Sequence, residues 1–263
     1  RTGTLQNFAL NGTTSNWVAP GGIPVGFCTP ALGDYISLTS GNWNNASNWA
    51  RYDGTTWVAA VAAPSSSDAA ITIKSAHIVT VNSIVNADQL TVNAGATLAI
   101  AGSGVLTSND GSGTDLTVNG IVVLNGATLT QSASSSITIN SGGVFNFNAG
   151  LFDGSGTLTV QNGGTLHFAG TGVMNMAGTK SIVNDGTVSW SSTAALLNFN
   201  GATVTLSNNS NFNISANAAM NNGGNVASTV TINNGSTGLI AKTGTGTATF
   251  GGGVTLSSTI GAV

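Results

Sequence analysis

Short runs in which apolar and polar residues alternate recur along most of this chain. Between residues 158 and 182 the apolar-x-apolar pairs begin every eight residues, at Leu158/Val160, Leu166/Phe168, Met174/Met176 and then Ile182. A period of two indicates a strand that buries one face. The pattern therefore predicts sets of three short strands joined by turns.

A longer repeat contains these sets. Its signature is apolar-Thr-apolar followed by Asn and Gly, with copies at 90–95, 116–120, 137–142, 158–163, 182–186, 204–208 and 230–235. The asparagines that mark the copies, spaced 21 to 26 residues apart, are Asn93, Asn119, Asn140, Asn162, Asn184, Asn208 and Asn233. Steps in this range are typical of repeat architectures.

This double period predicts an all-β fold, a right-handed parallel β-helix (β-solenoid) with three short strands per coil. Strands this short bury a face only by stacking coil on coil, and parallel crossovers are overwhelmingly right-handed. The seven asparagines are expected to form one structural ladder at a corner of the coils, because Asn tolerates bends and its amide bonds to an equivalent Asn. About eight coils, with a shaft roughly 40 Å long, are expected.

The chain divides near residue 70. Residues 1–69 hold four of the five tryptophans and all four prolines, and we interpret them as an aromatic-rich N-terminal cap. Residues 70–263 form the predicted shaft. Its C-terminal end is expected to be uncapped, because 248–250 and 254–256 still read as repeat strands.

The boundary between these parts carries a resemblance. The stretch 40–49, with Trp43 and Trp49, runs into 64–73, with Pro64 and Asp68. This resembles the G-x-W-x-x-x-x-x-W … P-x-x-x-D-x-V-x-I opening of β-helical surface proteins of Bacteroidetes, which often use the type IX secretion route. The later Asn-Gly repeats are similar to the passenger shafts of autotransporter and filamentous-haemagglutinin-type adhesins. The resemblance implies a secreted or cell-surface location and a role in display or adhesion, and it carries over no catalytic residue.

Charge excludes several classes of function. Only 5% of the residues are charged, the net charge is −3, and the five basic residues are scattered. Nucleic-acid binding needs a basic stripe, which this chain lacks. No apolar run approaches the length of about 20 residues that a membrane span requires, so membrane insertion is not expected.

Cys28 has no partner for an internal disulfide. It is either a buried free thiol or forms a disulfide bond to another chain.

Three tryptophans are the candidate carbohydrate site. Trp43, Trp49 and Trp57 either form a platform on which sugar rings stack or plug the first coil as large apolar side chains. The second reading is favoured because Trp43 and Trp49 belong to the cap motif. A glycan is accordingly a possible partner.

A weak calcium candidate lies in the loop 109–115, where Asp110 and Asp115 offer oxygen ligands. The loop lacks the EF-hand order of ligands, and a solvated turn is the simpler reading. No other metal site and no cofactor is expected.

Enzymatic activity is the rival to a structural role. A glycosidase needs two carboxylates at a defined separation, and the Asp residues are spread along the coils. Ice binding is a third alternative, because Thr91, Thr117, Thr138, Thr159, Thr205 and Thr231 fall on one face. That row reads as single and is broken by Val183. We therefore expect a non-enzymatic structural or adhesive shaft. It associates with itself, for example in head-to-tail filaments, or with other surface proteins.

Overall fold

The structure is a computed structural model that describes residues 30–192, 201–222 and 228–258, together with the strands Trp17–Val18, Pro24–Val25 and Leu197–Phe199. Cys28 and most of the first 29 residues of the predicted cap lie outside the described residues. So do the last five residues of the chain.

Parallel strands stacked in three walls make up the fold. The strands of wall 1 are Tyr35–Ser37, Ile71–Ile73, Leu90–Val92, Leu116–Val118, Ser136–Ile139, Gly156–Val160, Thr179–Asn184, Thr203–Asn208, Thr229–Asn234 and Val254–Ser258. Equivalent inward residues from Ile71 onward are Ile71, Leu90, Leu116, Ile137, Leu158, Ile182, Leu206, Ile232 and Leu256. Each winding therefore takes 19 to 26 residues, and the predicted β-solenoid is confirmed.

Walls 2 and 3 complete each winding. Wall 2 holds Gly41–Asn42, Ile78–Val81, Thr97–Ala101, Thr165–Phe168, Thr187–Trp190, Asn211–Ile214 and Leu239–Lys242. Wall 3 holds Ile84–Ala87, Val105–Ser108, Met174–Met176, Leu197–Phe199, Ala219–Asn222 and Thr249–Phe250. Two long strands, Ile121–Gln131 and Val144–Gly154, contribute to both walls and bend between them. The prediction of three strands per winding is confirmed.

A column of mostly apolar side chains fills the interior. The alternating residues predicted to face inward are buried, as Leu158, Val160 and Leu166 are each at most 1% exposed. Phe168, Met174 and Met176 are equally enclosed. Since successive strands lie about 4.7–4.9 Å apart, each inward side chain packs on its equivalents in the windings above and below.

Antiparallel strands close the N-terminal end of the described shaft. Trp49–Tyr52 pairs with Tyr35–Ser37 on one side and with Trp57–Ala59 on the other, after the short 3₁₀ helix Ala46–Asn48. These strands cover edges and core that the first winding would otherwise leave open. Parallel pairing already begins at Tyr35, which lies opposite Ile71, so part of the segment predicted as cap belongs to the walls.

Glycine is required where wall 3 turns back toward wall 1. Gly154 has φ +83°, and a Cβ there would lie 1.9 Å from the Gln131 carbonyl oxygen. One winding further, Gly178 has φ +76° and a Cβ would lie 2.0 Å from the Gly154 carbonyl oxygen. A side chain at either corner would force neighbouring windings apart, because L residues rarely adopt this conformation and no space remains.

The described residues contain no helix with the length and apolar character that crossing a membrane requires.

Candidate functional site

The cap tryptophans lie inside the molecule. Trp43 is 1% and Trp49 0% exposed, and their rings meet edge to face with centroids 5.0 Å apart. The Trp43 indole N–H donates to the Pro64 carbonyl oxygen at 2.9 Å, and the Trp49 indole N–H donates to the Trp43 carbonyl oxygen at 2.8 Å. Both rings belong to the same apolar cluster as the shaft core.

This burial excludes sugar stacking on Trp43 and Trp49, which was the alternative to the favoured reading as a plug. A pyranose ring needs an open aromatic face, and Trp43 and Trp49 have none because they plug the first winding. Trp57 lies apart from them on the outermost cap strand, half-buried, with its ring centroid 5.4 Å from that of Tyr52. The structure does not bring the three tryptophans together in one surface.

Two carboxyl groups from neighbouring windings meet near the corner before wall 1. Burial raises the pKa of Asp88, and its interaction with the Asp115 carboxyl group and the negative charges of Asp115 and Asp110 add to the effect. A Cβ on Gly111 would lie 2.0 Å from Asp88 Oδ2, so the backbone packs closely on this pair. The sequence analysis missed Asp88, because the contact depends on which turns are neighbours in the stack.

This geometry corrects the calcium prediction for Asp110 and Asp115. Asp115 is 1% exposed, and its carboxylate accepts hydrogen bonds from the Gly111 amide at 2.9 Å and the Ser136 amide at 2.6 Å. Asp110 is exposed and does not join it in a ligand set. Within the described ranges no group of three His, Cys, Asp or Glu side chains could hold a metal ion.

The Asp88–Asp115 pair also differs from a glycosidase pair. Carboxyl groups of retaining enzymes stand about 5–5.5 Å apart across an open cleft, whereas Asp88 and Asp115 lie at a corner on which the Gly111 backbone packs closely. Asp115 is fully enclosed. The pair is best described as a structural contact between adjacent windings.

Lys180 is a buried cation that the pattern analysis did not single out. It occupies an inward position of wall 1, between Gly156 and Val204 of the neighbouring windings, and is 3% exposed. Its ammonium donates to the carbonyl oxygens of Asp153 and Gly154 and lies 4.0 Å from the centre of the Phe152 ring. Burial lowers the pKa of Lys180 to about 8, and the Asp153 charge partly opposes this shift. Its place two residues before the inward Ile182 is the signal that would have identified it.

The two histidines bond to serines rather than to a catalytic partner. His77 Nδ1 lies 2.8 Å from Ser37 Oγ, and His167 Nε2 lies 2.9 Å from Ser191 Oγ. Burial lowers the pKa of both rings, and the Lys74 charge lowers that of His77 further. Both rings therefore tend to stay neutral at physiological pH.

The single asparagine ladder is corrected to two separate sets. At the corner after wall 1, Asn140 Nδ2 donates to Asn119 Oδ1 at 2.8 Å, and Asn93 takes the equivalent place one winding earlier. Asn162 leaves this set, because Gln161 holds the position opposite Asn140 and Asn162 is exposed.

The second set lies inside the shaft. Asn184 pairs with Asn208 and Asn208 with Asn234, in the place that Val160 holds in the preceding winding. Asn184 Nδ2 donates to Asn208 Oδ1 at 2.6 Å, and Asn208 Nδ2 donates to Asn234 Oδ1 at 2.7 Å. Asn233, the residue predicted for the ladder, points outward instead.

Replacing Asn208 by alanine is expected to lower the free energy of unfolding by about 2 kcal/mol, because it leaves the buried Asn184 amide and the half-buried Asn234 amide without their partner. Asn233→Ala, one residue from this ladder on the outer face, is the matched control and is expected to change stability by less than about 0.5 kcal/mol. Urea unfolding of both variants measures the difference. Equal losses would contradict the inner ladder.

The outward side of wall 1 carries more than the single row of threonines that the sequence analysis described. The row that contains Thr91 consists, in winding order, of Thr72, Thr91, Thr117, Thr138, Thr159 and Val183. A second row, two residues earlier in each strand, has Ser136, Thr157, Ser181, Thr205, Thr231 and Thr255. Thr205 and Thr231 therefore stand beside the first row and carry the pattern past Val183. We call these two rows the hydroxyl face.

Comparison with known proteins assigns no relative. No protein family model matches the chain, no curated protein matches it, and no solved structure matches it.

Proposed function

We propose that this chain is a non-catalytic shaft of a secreted, cell-surface or extracellular fibre protein, whose work is to extend and to present faces for adhesion. The observation that supports this most is the unbroken register of wall 1. From Ile71 to Ser258 every strand pairs in parallel with the next, and no bulge interrupts the series. Such a stack transmits force along its axis through many equivalent backbone hydrogen bonds.

The way the walls are joined supports the same role. Inward side chains of wall 1 are buried from Ile71 to Ile232, and described corners include tight turns that hydrogen-bond to a neighbouring winding, as where the Gly142 amide donates to the Gly163 carbonyl oxygen at 2.9 Å. Proteases need a segment of flexible, exposed chain. A shaft of this construction offers few such segments, which suits exposure outside a cell.

The cap motif supports the more specific part of the proposal, which is that this chain is a protein of the same kind as the secreted β-helical surface proteins of Bacteroidetes. The motif residues Trp43 and Trp49 have a physical task, because they seal the core at the first winding. Pro64 and Asp68 are tied into the same cap, since the Pro64 carbonyl accepts from Trp43 and the Asp68 carboxylate accepts from the Ser65 amide at 2.8 Å. A motif that seals the end of the core in this way suits a secreted β-helical protein whose shaft begins at the motif.

Immunogold labelling of intact source cells, together with assay of the culture medium, tests the location. We expect label on the cell surface or protein in the medium. Label confined to the cytoplasm of opened cells would remove the proposal of an external shaft.

Digestion by proteinase K tests the shaft itself. We expect residues 30–258 to survive as large fragments, whereas Val118→Asp, which places a charge in the core column where Val118 is fully buried, is expected to be degraded rapidly. Thr117→Asp, one residue away on the outer face, is the control and is expected to resist like the unaltered chain. Degradation of all three at one rate would contradict a rigid shaft.

A further inference from the structure

The hydroxyl face is a two-dimensional lattice. Its two rows are separated by two residues along each strand, which is about 6.6–6.8 Å, and successive strands repeat about every 4.7–4.9 Å. The pairing from Ser136–Ile139 to Val254–Ser258 keeps this register in every step. At the C-terminal half a third row continues the lattice, with Thr179, Thr203 and Thr229.

The hydroxyl groups of the central lattice are available to a ligand. Among the described residues, the Thr159, Thr205 and Thr231 hydroxyls make no hydrogen bond to the protein, although each can donate one and accept two. By contrast, the hydroxyl at the N-terminal end of the second row is used internally, because Ser136 Oγ donates to Asp115. The lattice therefore presents unused donors and acceptors at regular intervals.

The chemistry of this face selects its ligand. No Asp, Lys, Arg or His side chain points outward from the two rows between Ser136 and Ser257 in the part of the chain that the structure describes, so a charged ligand has no counter-ion there. No outward aromatic ring stands in these rows either, which leaves a sugar chain without a stacking surface. Between Ser136 and Ser257 the two rows hold twelve positions, of which six are threonines with a methyl and a hydroxyl group side by side, four are serines, and the remaining two are Val183 and Asn233.

We propose that the hydroxyl face binds ice. The methyl groups restrict the orientations of the water molecules around them, and the hydroxyls anchor those waters at fixed intervals. Oxygen atoms on the faces of hexagonal ice repeat at spacings of similar size in two directions, so anchored waters can join the crystal. Each contact is weak, but a rigid lattice brings many into place together, which raises the overall affinity without any strong single contact.

Inhibition of ice recrystallisation and the gap between melting and freezing temperatures test this with the full chain. We expect the unaltered protein to slow crystal growth and to open a measurable gap. Thr205→Tyr, in the middle of the lattice, is expected to lose most of both effects because the bulky ring holds ice away from the neighbouring rows. Thr187→Tyr makes the same change on the outward side of wall 2 and is expected to retain them.

Circular dichroism and thermal unfolding check that both variants keep the fold. We expect that they do, because tyrosine is favoured in strands. Ice growth in the unaltered protein equal to that in an albumin solution would overturn the proposal. Equal losses in the two variants would also overturn it. So would retention on cellulose or chitin that Thr205→Tyr abolishes while ice growth is unaffected, since the ligand would then be a polysaccharide. A cytoplasmic location would remove the external shaft and leave these results standing.

Discussion

Replacing Trp49 by alanine is expected to lower the free energy of unfolding by about 3–5 kcal/mol, the range for removing a large buried aromatic side chain. Trp49 is fully buried, packs edge to face on Trp43 and donates to the Trp43 carbonyl oxygen. Its loss would open a cavity where the cap strands meet the shaft core. Fraying is then expected to start at the first winding.

Chemical denaturation followed by far-ultraviolet circular dichroism measures this loss. Trp57→Ala is the matched control, because Trp57 is half-buried on the outer cap strand, and it is expected to cost less than about half as much. Hydrogen exchange should show earlier opening around Ile71 in Trp49→Ala. A loss below about 1 kcal/mol in that variant would refute the role of the tryptophans as a plug.

The second large effect concerns pH. The pKa of Lys180 is about 8 in the folded chain against an ordinary value of 10.5. Between these values the unfolded chain binds more protons than the folded one, so the free energy of unfolding rises with pH. The expected rise from pH 7.5 to pH 9.5 is about 2 kcal/mol, because each unit of pKa difference corresponds to about 1.4 kcal/mol.

Lys180→Met removes this rise. Methionine is an unbranched, flexible side chain only one heavy atom shorter than lysine, so it fills most of the same space beside the Phe152 ring while it removes the buried charge. Denaturant unfolding at several pH values measures the slope, with Lys242→Met as control, because Lys242 is exposed and its removal should leave the slope unchanged. If the free energy of unfolding rose with pH as steeply in Lys180→Met as in the unaltered chain, a group other than Lys180 would be responsible for the rise.

The Asn residues show where reading of the sequence reached its limit. The signature Ile182-Val183-Asn184 looks like a shortened copy of Leu158-Thr159-Val160-Gln161-Asn162, and both asparagines were assigned to one corner. Pairing of Leu158 with Ile182 instead places Asn184 opposite Val160, inside the shaft. Local sequence did not reveal this, because the windings differ in length and only the pairing of neighbouring strands sets the register.

Local periodicity by itself determined the β-solenoid, the three strands per winding and the identity of the inward residues, because side chains of a strand alternate between two faces whatever the strand packs against. Tertiary structure alone decided which residues of different windings touch: the Asp88–Asp115 pair, the contacts of the buried Lys180 ammonium, the inner asparagine ladder and the second hydroxyl row. The contacts between windings join positions 21 to 28 residues apart, and turns of unequal length at the corners set their alignment. The residues of each turn can be read from the sequence. The register between strands of neighbouring windings cannot, because it depends on how each winding stacks on the one below.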